Sequence, residues 1–477
     1  MANFRIKPPV LPEDLEQEVI SGWPRRRLDS VRTWLRLKLG LDRAVGFTVL
    51  ARGWSSLAGL MTVALIARFL SPHEQGYFYT FGSLIALQIV FELGFAFVIL
   101  QMASHERAHL ALFADGRISG DPVCHARLAS VLQKTVRWYS AAAVLMAGFL
   151  LIAGSHFFAQ NQHGGEIVAW RLPWYAAALA ATMTFQLDPI LSFMEGCGFV
   201  SNVAKVRLIQ AMTGSTLAWS ALALHHGLFA PAMIIMGNTV VALAWLFKHR
   251  DLLLGLLRYA PGNHRIHWMR EVWPFQWRIA ISWLCGYFIY QLFNPVIFAY
   301  RGAIVAGQMG MSLSLVNALK SISISWINTK AAPFGGLISH KHYSELDATF
   351  FRALGQSLLV CSAGSLVIWT GAVLLNVARA PFAHRLLSPS LLAFLLVGAI
   401  LDTMVFAQAI YLRAHKQEKF LLNSVLSAVL IACSTLILGR YFGAAGVVIG
   451  SFMIALFVGL PFGTYTFFKY RGMWHVG

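Results

Sequence analysis

Five ionisable residues stand inside long apolar runs of this 477-residue chain: Arg52, Glu92, Asp188, Lys320 and Asp402. A charge at bilayer depth is costly unless it is paired or faces a water-filled cavity. Each of the five is therefore a candidate for chemistry. Arg offers a planar fork that matches phosphate oxygens, and Lys a compact point charge. Arg52 and Lys320 are thus the candidate substrate-binding residues, and a diphosphate is the membrane-compatible anion that fits them. The carboxylates Glu92, Asp188 and Asp402 are candidates for ion coupling, by carrying H+ or binding Na+, or for pairing with the cations. Glu92 can pair with Arg52 and Asp402 with Lys320, which leaves a purely structural role open for either cation.

A further pattern is HERAH, from His105 to His109. On a helix, HExxH puts two His on one face with a Glu that can act as base over zinc. Here it lies beyond the end of an apolar run, and Thr403 follows Asp402 where an intramembrane protease motif has Gly. Zinc is not expected. There is no GxxxxGK[ST] loop for ATP, and the five Cys form no CxxC pair. The expectation is a non-enzyme with no metal and no cofactor beyond a coupling H+ or Na+.

The elements that position these residues follow from composition. Residues of the AVILMFWYC class make up 57%, charged residues 12%, and mean hydropathy is +0.63. A soluble protein carries about twice that charge, and a disordered one far less apolar mass. The net charge of +18 comes from Lys and Arg between the apolar runs, where they face anionic lipid rather than nucleic acid. The runs are about 20 residues long, enough to span a bilayer. Twelve are expected. In the first half they cover 46–67, 78–100, 139–159, 172–194, 203–224 and 229–247. In the second half they cover 279–300, 305–327, 353–375, 391–412, 420–438 and 443–468.

With alternating sides, 30 Lys and Arg fall on the face that holds the termini and 6 on the other: Arg68, Arg171, Arg301, Arg379, Arg385 and Arg440. That asymmetry predicts both termini in the cytoplasm. Residues 1–45 read as a basic amphipathic surface segment, with Trp34, Leu35, Leu37, Leu39 and Leu41 among Arg and Lys. A second amphipathic cytoplasmic stretch, 248–278, links an N-lobe (46–247) to a C-lobe (279–477).

The two halves look alike. LFAPAMIIMGN from Leu228 matches YFGAAGVVIGS from Tyr441, pairing Gly237 with Gly450. FLSPHEQGYF matches YRGAIVAGQM, pairing Gly76 with Gly307. Both matches are six runs apart, and an even offset gives parallel repeats related by an axis along the membrane normal. The predicted fold is all-α: twelve transmembrane helices in two six-helix lobes around a central cleft. At a rise of about 1.5 Å per residue, Arg52 is roughly 9 Å and Lys320 roughly 10 Å from the cytoplasmic ends of their runs. One cation from each half therefore lies at similar depth.

The stretches ARGWSSLAGLMTVALIARFLSPHEQGYFYTFGSLIALQIVFELGFAFVILQMASHE, DPILSFMEGCGFV, EVWPFQWRIAISW and AGQMGMSLSLVNALKSISISWINTKAAPFGGLI resemble bacterial polysaccharide-unit flippases. These belong to the multidrug/oligosaccharidyl-lipid/polysaccharide exporter superfamily, and the resemblance covers about 46–468. It implies translocation of an undecaprenyl-diphosphate-linked oligosaccharide across the bacterial inner membrane by alternating access. It implies use in O-antigen, lipopolysaccharide or exopolysaccharide synthesis, with membrane lipids, a polymerase and glycosyltransferases as partners. The family motif does not itself assign Arg52 or Lys320. A multidrug exporter of the same superfamily is the alternative.

Overall fold

The computed structural model describes residues 43–112, 117–161, 167–415 and 419–475. The expected surface helix around Trp34 to Leu41 lies outside the described residues. One short antiparallel pair, β1 (Leu110–Leu112) with β2 (Ile118–Gly120), interrupts an otherwise helical chain.

The first half begins with α1 (Arg43–Phe69). Ser71 then caps α2 (Pro72–Ile85): its side chain accepts from the Glu74 N–H, the Glu74 carboxylate accepts from the Ser71 N–H, and Pro72 opens the first turn. This reciprocal cap fixes the start of the helix. The expected continuous run 78–100 is instead broken. Leu93 and Gly94 both take positive φ, 50° and 68°. They separate α3 (Gln88–Glu92) from α4 (Phe95–Arg107) with a bend of 46°. The α5 helix (Pro122–Phe149) starts well before the expected 139 and runs through a π turn into α6 (Ser155–Gln160). Then follow α7 (Arg171–Gly196), α8 (Val200–Ala223), α9 (Ala230–Lys248) and the short amphipathic α10 (Arg250–Arg258).

In the second half, α11 (Trp273–Tyr290) stops just before α12 (Phe293–Arg301). Pro295 stands in the first turn of α12, where its missing N–H leaves no bond unmade. The rest are α13 (Ala303–Asn328), α14 (Ala331–Ser339), α15 (Tyr343–Val377), α16 (Pro389–Ala414), α17 (Leu421–Ile454) and α18 (Leu460–His475). Gly443 inside α17 has φ 62° and ψ −138°. Beyond it the chain turns back on itself: a Cβ on Gly446 would sit 2.4 Å from the Leu438 carbonyl, and one on Gly450 2.2 Å from Ser434 Oγ. Those contacts make residues 421–454 an antiparallel hairpin.

Among the described residues, eight helices are long and apolar enough to cross a bilayer, or nine if the bent α2–α4 stretch is one span. Within the first half α1 packs along α8, α8 on α9, and α7 on α4, α5 and α9. Within the second, α13 packs on α15, α15 on α16, α16 on α18, and α11 and α12 on α17. Across the halves α2 lies along α13 and touches α12, and α1 touches α13.

The α2–α13 contact is made by glycine. A Cβ on Gly76 would be 2.0 Å from the Ala303 carbonyl oxygen, and one on Gly307 3.0 Å from the Gly76 nitrogen. Missing side chains let the two backbones touch, as small residues do between membrane helices. The two glycines paired by the sequence repeat thus meet each other. Near them, Tyr77, Phe81, Phe158, Trp174 and Phe298 pack ring against ring at 4.9–6.2 Å.

Candidate functional site

A cavity of about 480 Å³ opens in the first half, lined by Ser55, Gly59 and Thr62 of α1, Arg207, Gln210 and Ser215 of α8, Asn238 of α9 and Tyr79 of α2, with Ser314 of α13 contributed by the second half. Small and polar residues recur on α1 at 55, 59 and 62, the spacing of one helix face. Arg52 is three residues before Ser55, so it stands on that face one turn nearer the start of the helix. Its side chain is exposed.

The walls are held in register by hydrogen bonds. Trp54 Nε1 donates to Ser215 Oγ at 3.0 Å, and Trp219 Nε1 to Thr62 Oγ1 at 2.9 Å. Gln210 Nε2 donates to the Asn238 carbonyl at 2.9 Å. A Cβ on Gly237 would be 2.9 Å from the Gly214 backbone, so α8 and α9 approach as closely as helices can. These ties set Arg52 and Arg207 on neighbouring helices at one end of the cavity. Arg207 forms an ion pair with Glu195 at 2.9 Å while its side chain stays half exposed.

The opposite end is shut. Gln75 Nε2 donates to the carbonyls of Gly307 (2.8 Å) and Arg385 (3.0 Å), and Arg385 Nη2 donates to the Leu70 carbonyl at 2.6 Å. Asn294 Nδ2 donates to Ser83 Oγ at 3.2 Å. This plug closes over the tight α2–α13 contact.

The five expected residues separate into two groups. No ion pair joins Arg52 to Glu92. Among the described residues Arg52 has no carboxylate partner, and neither Glu92 nor Asp188 has a cation within ion-pair distance. Instead Glu92 on α3 and Asp188 on α7 are electrostatic neighbours of each other, and Arg207 is within range of Asp188. Lys320 is different. Its Nζ is 2.8 Å from Asp402 Oδ2 and 4.5 Å from the centre of the Tyr290 ring. Its side chain is 13% exposed, so the expectation that it shares an open cleft with Arg52 does not match its surroundings. It lines a cavity inside the second half with Tyr290, Asn317 and Asp402.

Arg207 was overlooked in the sequence because it and Lys205 fall at the very start of the expected run 203–224, where basic residues read as the cytoplasmic end of a span rather than as part of a site. The signal that reveals it is spacing: Arg207, Gln210 and Gly214 continue one face of α8.

Glu106 of HERAH is buried and accepts from Arg127 Nε at 2.8 Å, while Arg127 Nη2 reaches Glu271 at 2.6 Å. Among the described residues no group of three or more His, Cys, Asp or Glu is placed to hold a metal ion. The triad instead fastens the 249–272 linker to α5. Gln133 Nε2 donates to the Leu256, Leu257 and Tyr259 carbonyls at the end of α10, and Lys134 Nζ donates to the Ile266 carbonyl. Burial alone would raise the Glu271 carboxyl, but the hydrogen bonds from Arg127 and the His267 N–H outweigh it and hold it below the usual range.

No family model matches the chain, and no curated protein matches it in sequence. Solved structures do resemble it. An inward-facing MATE multidrug-resistance transporter of the MOP superfamily superposes with a TM-score of 0.61 at 14% identity, covering 89% of this chain and 99% of that one. The lipid II flippase MurJ, in an inward closed conformation, gives 0.53 at 12% identity, covering 90% of each chain. A eukaryotic MATE transporter gives 0.53 at 13% identity, over 92% of this chain and 99% of that one. At these identities the likeness establishes the fold: a multi-pass helical membrane protein with the architecture of MATE transporters and MurJ.

Proposed function

We propose that this protein is a flippase that moves an undecaprenyl-diphosphate-linked oligosaccharide from the inner to the outer leaflet of the bacterial inner membrane, for cell-surface polysaccharide. The observation that carries this reading is the 480 Å³ polar cavity with Arg207 in its wall and Arg52 at the same end. A hydroxyl-rich headgroup suits Gln210, Asn238, Ser55 and Ser314, and a diphosphate suits two guanidinium groups. The chain has twelve spans in two parallel lobes, with both termini cytoplasmic. The Gly76–Gly307 meeting and the hairpin at Gly443 support that count and symmetry, since equivalent residues touch across a two-fold axis.

In this orientation the Gln75–Arg385 plug is on the outer side and the arginines are on the inner side. The headgroup enters from the cytoplasm while the polyprenyl tail stays in lipid. Breaking the plug and closing the arginine end completes one transfer by alternating access. Lys320 is left out of the headgroup site because it lines a separate cavity and is enclosed there against Asp402, whereas Arg207 stays half exposed despite its pairing with Glu195. Glu92 and Asp188, which have no ion-pair partner among the described residues, are the carboxylates for coupling to H+ or Na+.

Those same two carboxylates favour a second reading, a multidrug or other small-molecule exporter, since unpaired acids attract cationic compounds. A deletion strain separates the two. Lost surface polysaccharide with lipid-linked units accumulating on the inner leaflet, rescued by the wild type and not by Arg52→Ala, is the expected result. Unchanged polysaccharide with new drug sensitivity overturns the flippase reading in favour of the exporter.

A further inference from the structure

Asp402 sits midway along α16 in surroundings that suit a small cation. A cavity of about 210 Å³ leads away from it, lined in part by Asn423, Ser424 and Ser427 of the α17 hairpin and Ser282 of α11. Asn423 is 3% exposed, its Nδ2 donates to the Gly459 carbonyl at 3.2 Å, and its Oδ1 has no partner among the described residues. The cavity wall is largely apolar and includes Arg413 of α16, and a cavity of that size with an orphan oxygen is roomy enough to hold water. The carboxylate side chain remains 33% exposed. Oxygen donors around a hydrated acid are the usual setting for a hard cation, and the face of Tyr290 adds a cation–π contribution. Yet the cation position is filled by Lys320 Nζ, 2.8 Å from Asp402 Oδ2 and over that ring.

We propose that Lys320 and Asp402 form a monovalent-cation site that is occupied from within the chain. The ammonium group is a tethered counter-ion that takes the place of an alkali cation and keeps free Na+ or K+ from the carboxylate. The hairpin supplies the hydrated wall, so the site exists before any ion arrives. The inference does not depend on which substrate the first-half cavity takes. Its consequence is that removal of the lysine unmasks an ion site rather than merely deleting a contact.

The test is thermal unfolding of purified protein in sodium, potassium, methylammonium or choline chloride at matched ionic strength. A ligand that binds only the folded state raises the midpoint in a saturable way. The wild type is expected to unfold at one temperature in all four salts. Lys320→Ala unfolds lower in choline, recovers saturably in sodium or methylammonium, and loses that recovery when Asp402→Asn is added. Lys320→Gln, with a side chain of similar reach, gives the same readout if the alanine variant does not fold. Two results overturn the proposal. One is a wild-type midpoint that rises with sodium and stops rising in Asp402→Asn. The other is a folded Lys320 variant indifferent to sodium, potassium and methylammonium.

Discussion

In the first half, Arg207 lines the 480 Å³ cavity, Arg52 stands one helical turn from that lining, and among the described residues Glu92 and Asp188 have no cation within ion-pair distance. In the second, Lys320 and Asp402 are closed on each other at 2.8 Å. Each half carries a cation at a similar distance along its run, yet Arg52 is exposed and Lys320 is closed on an acid. The contrast teaches that cations at similar positions along their apolar runs need not share a chemistry. Whether a buried charge is free for a ligand depends on which neighbour the tertiary fold puts opposite it.

The sharpest way to break this comparison is to truncate both cations. Arg52→Ala removes a charge-assisted contact worth about 1.5–3 kcal/mol, so headgroup affinity falls roughly tenfold to a hundredfold. Its unfolding temperature is little changed. Lys320→Ala does the reverse. It leaves Asp402 without its counter-ion and costs about 1–3 kcal/mol of stability, less than a fully buried pair because that carboxylate is partly hydrated. Affinity for a polyprenyl-diphosphate sugar stays within about twofold. Equal losses of affinity in the two variants would show the halves to be alike.

A second pair of variants tests the contact between the halves. Gly76→Ala places a Cβ 2.0 Å from the Ala303 carbonyl oxygen, a backbone atom, so α2 and α13 must part. The overpacking costs about 1–3 kcal/mol and loosens the Gln75–Arg385 plug, which a cysteine placed in the cavity reports by faster labelling from the outer side. Gly307→Ala meets its nearest atom at 3.0 Å and costs less, under about 1 kcal/mol. The reverse order would mean that Gly76 is not the tighter point.

The smallest effect is expected at the linker. Glu271 is held below the usual carboxylate range by Arg127 and the His267 N–H, which outweigh its burial. A depressed value means that its contribution is present above the ordinary carboxylate pKa and is lost as pH falls through the depressed one. Protection against hydrogen exchange in residues 259–272, taken relative to the intrinsic rate at each pH, should therefore fall in acid, and Glu271→Gln should remove that dependence. Exchange in the α17 hairpin, which carries no such group, should not follow the same curve.

Much of the fold was legible because apolar length and basic loops are one-dimensional properties. The start of α2 is written in Ser71, Pro72 and Glu74, and the close approach of α2 to α13 in the small residues Gly76 and Gly307. The break at Leu93 was not legible, because a non-glycine residue with φ of 50° leaves no mark in composition. Nor was the role of Glu106, whose partner Arg127 is 21 residues away and whose network closes only through Glu271.

The sequence by itself determined that this is a multi-pass membrane protein and which ionisable residues stand within its apolar runs, since both follow from hydropathy counted along the chain. Only the tertiary structure decided which charges pair. Glu92 was the obvious acid by depth for Arg52 and Asp402 a less obvious one for Lys320, yet the second pair formed and the first did not. Ion pairing depends on a few ångströms of lateral distance and on the rotation of each helix about its axis. Those are set by contacts between remote residues, Trp54 with Ser215 and Gly76 with Ala303, and not by position along the sequence.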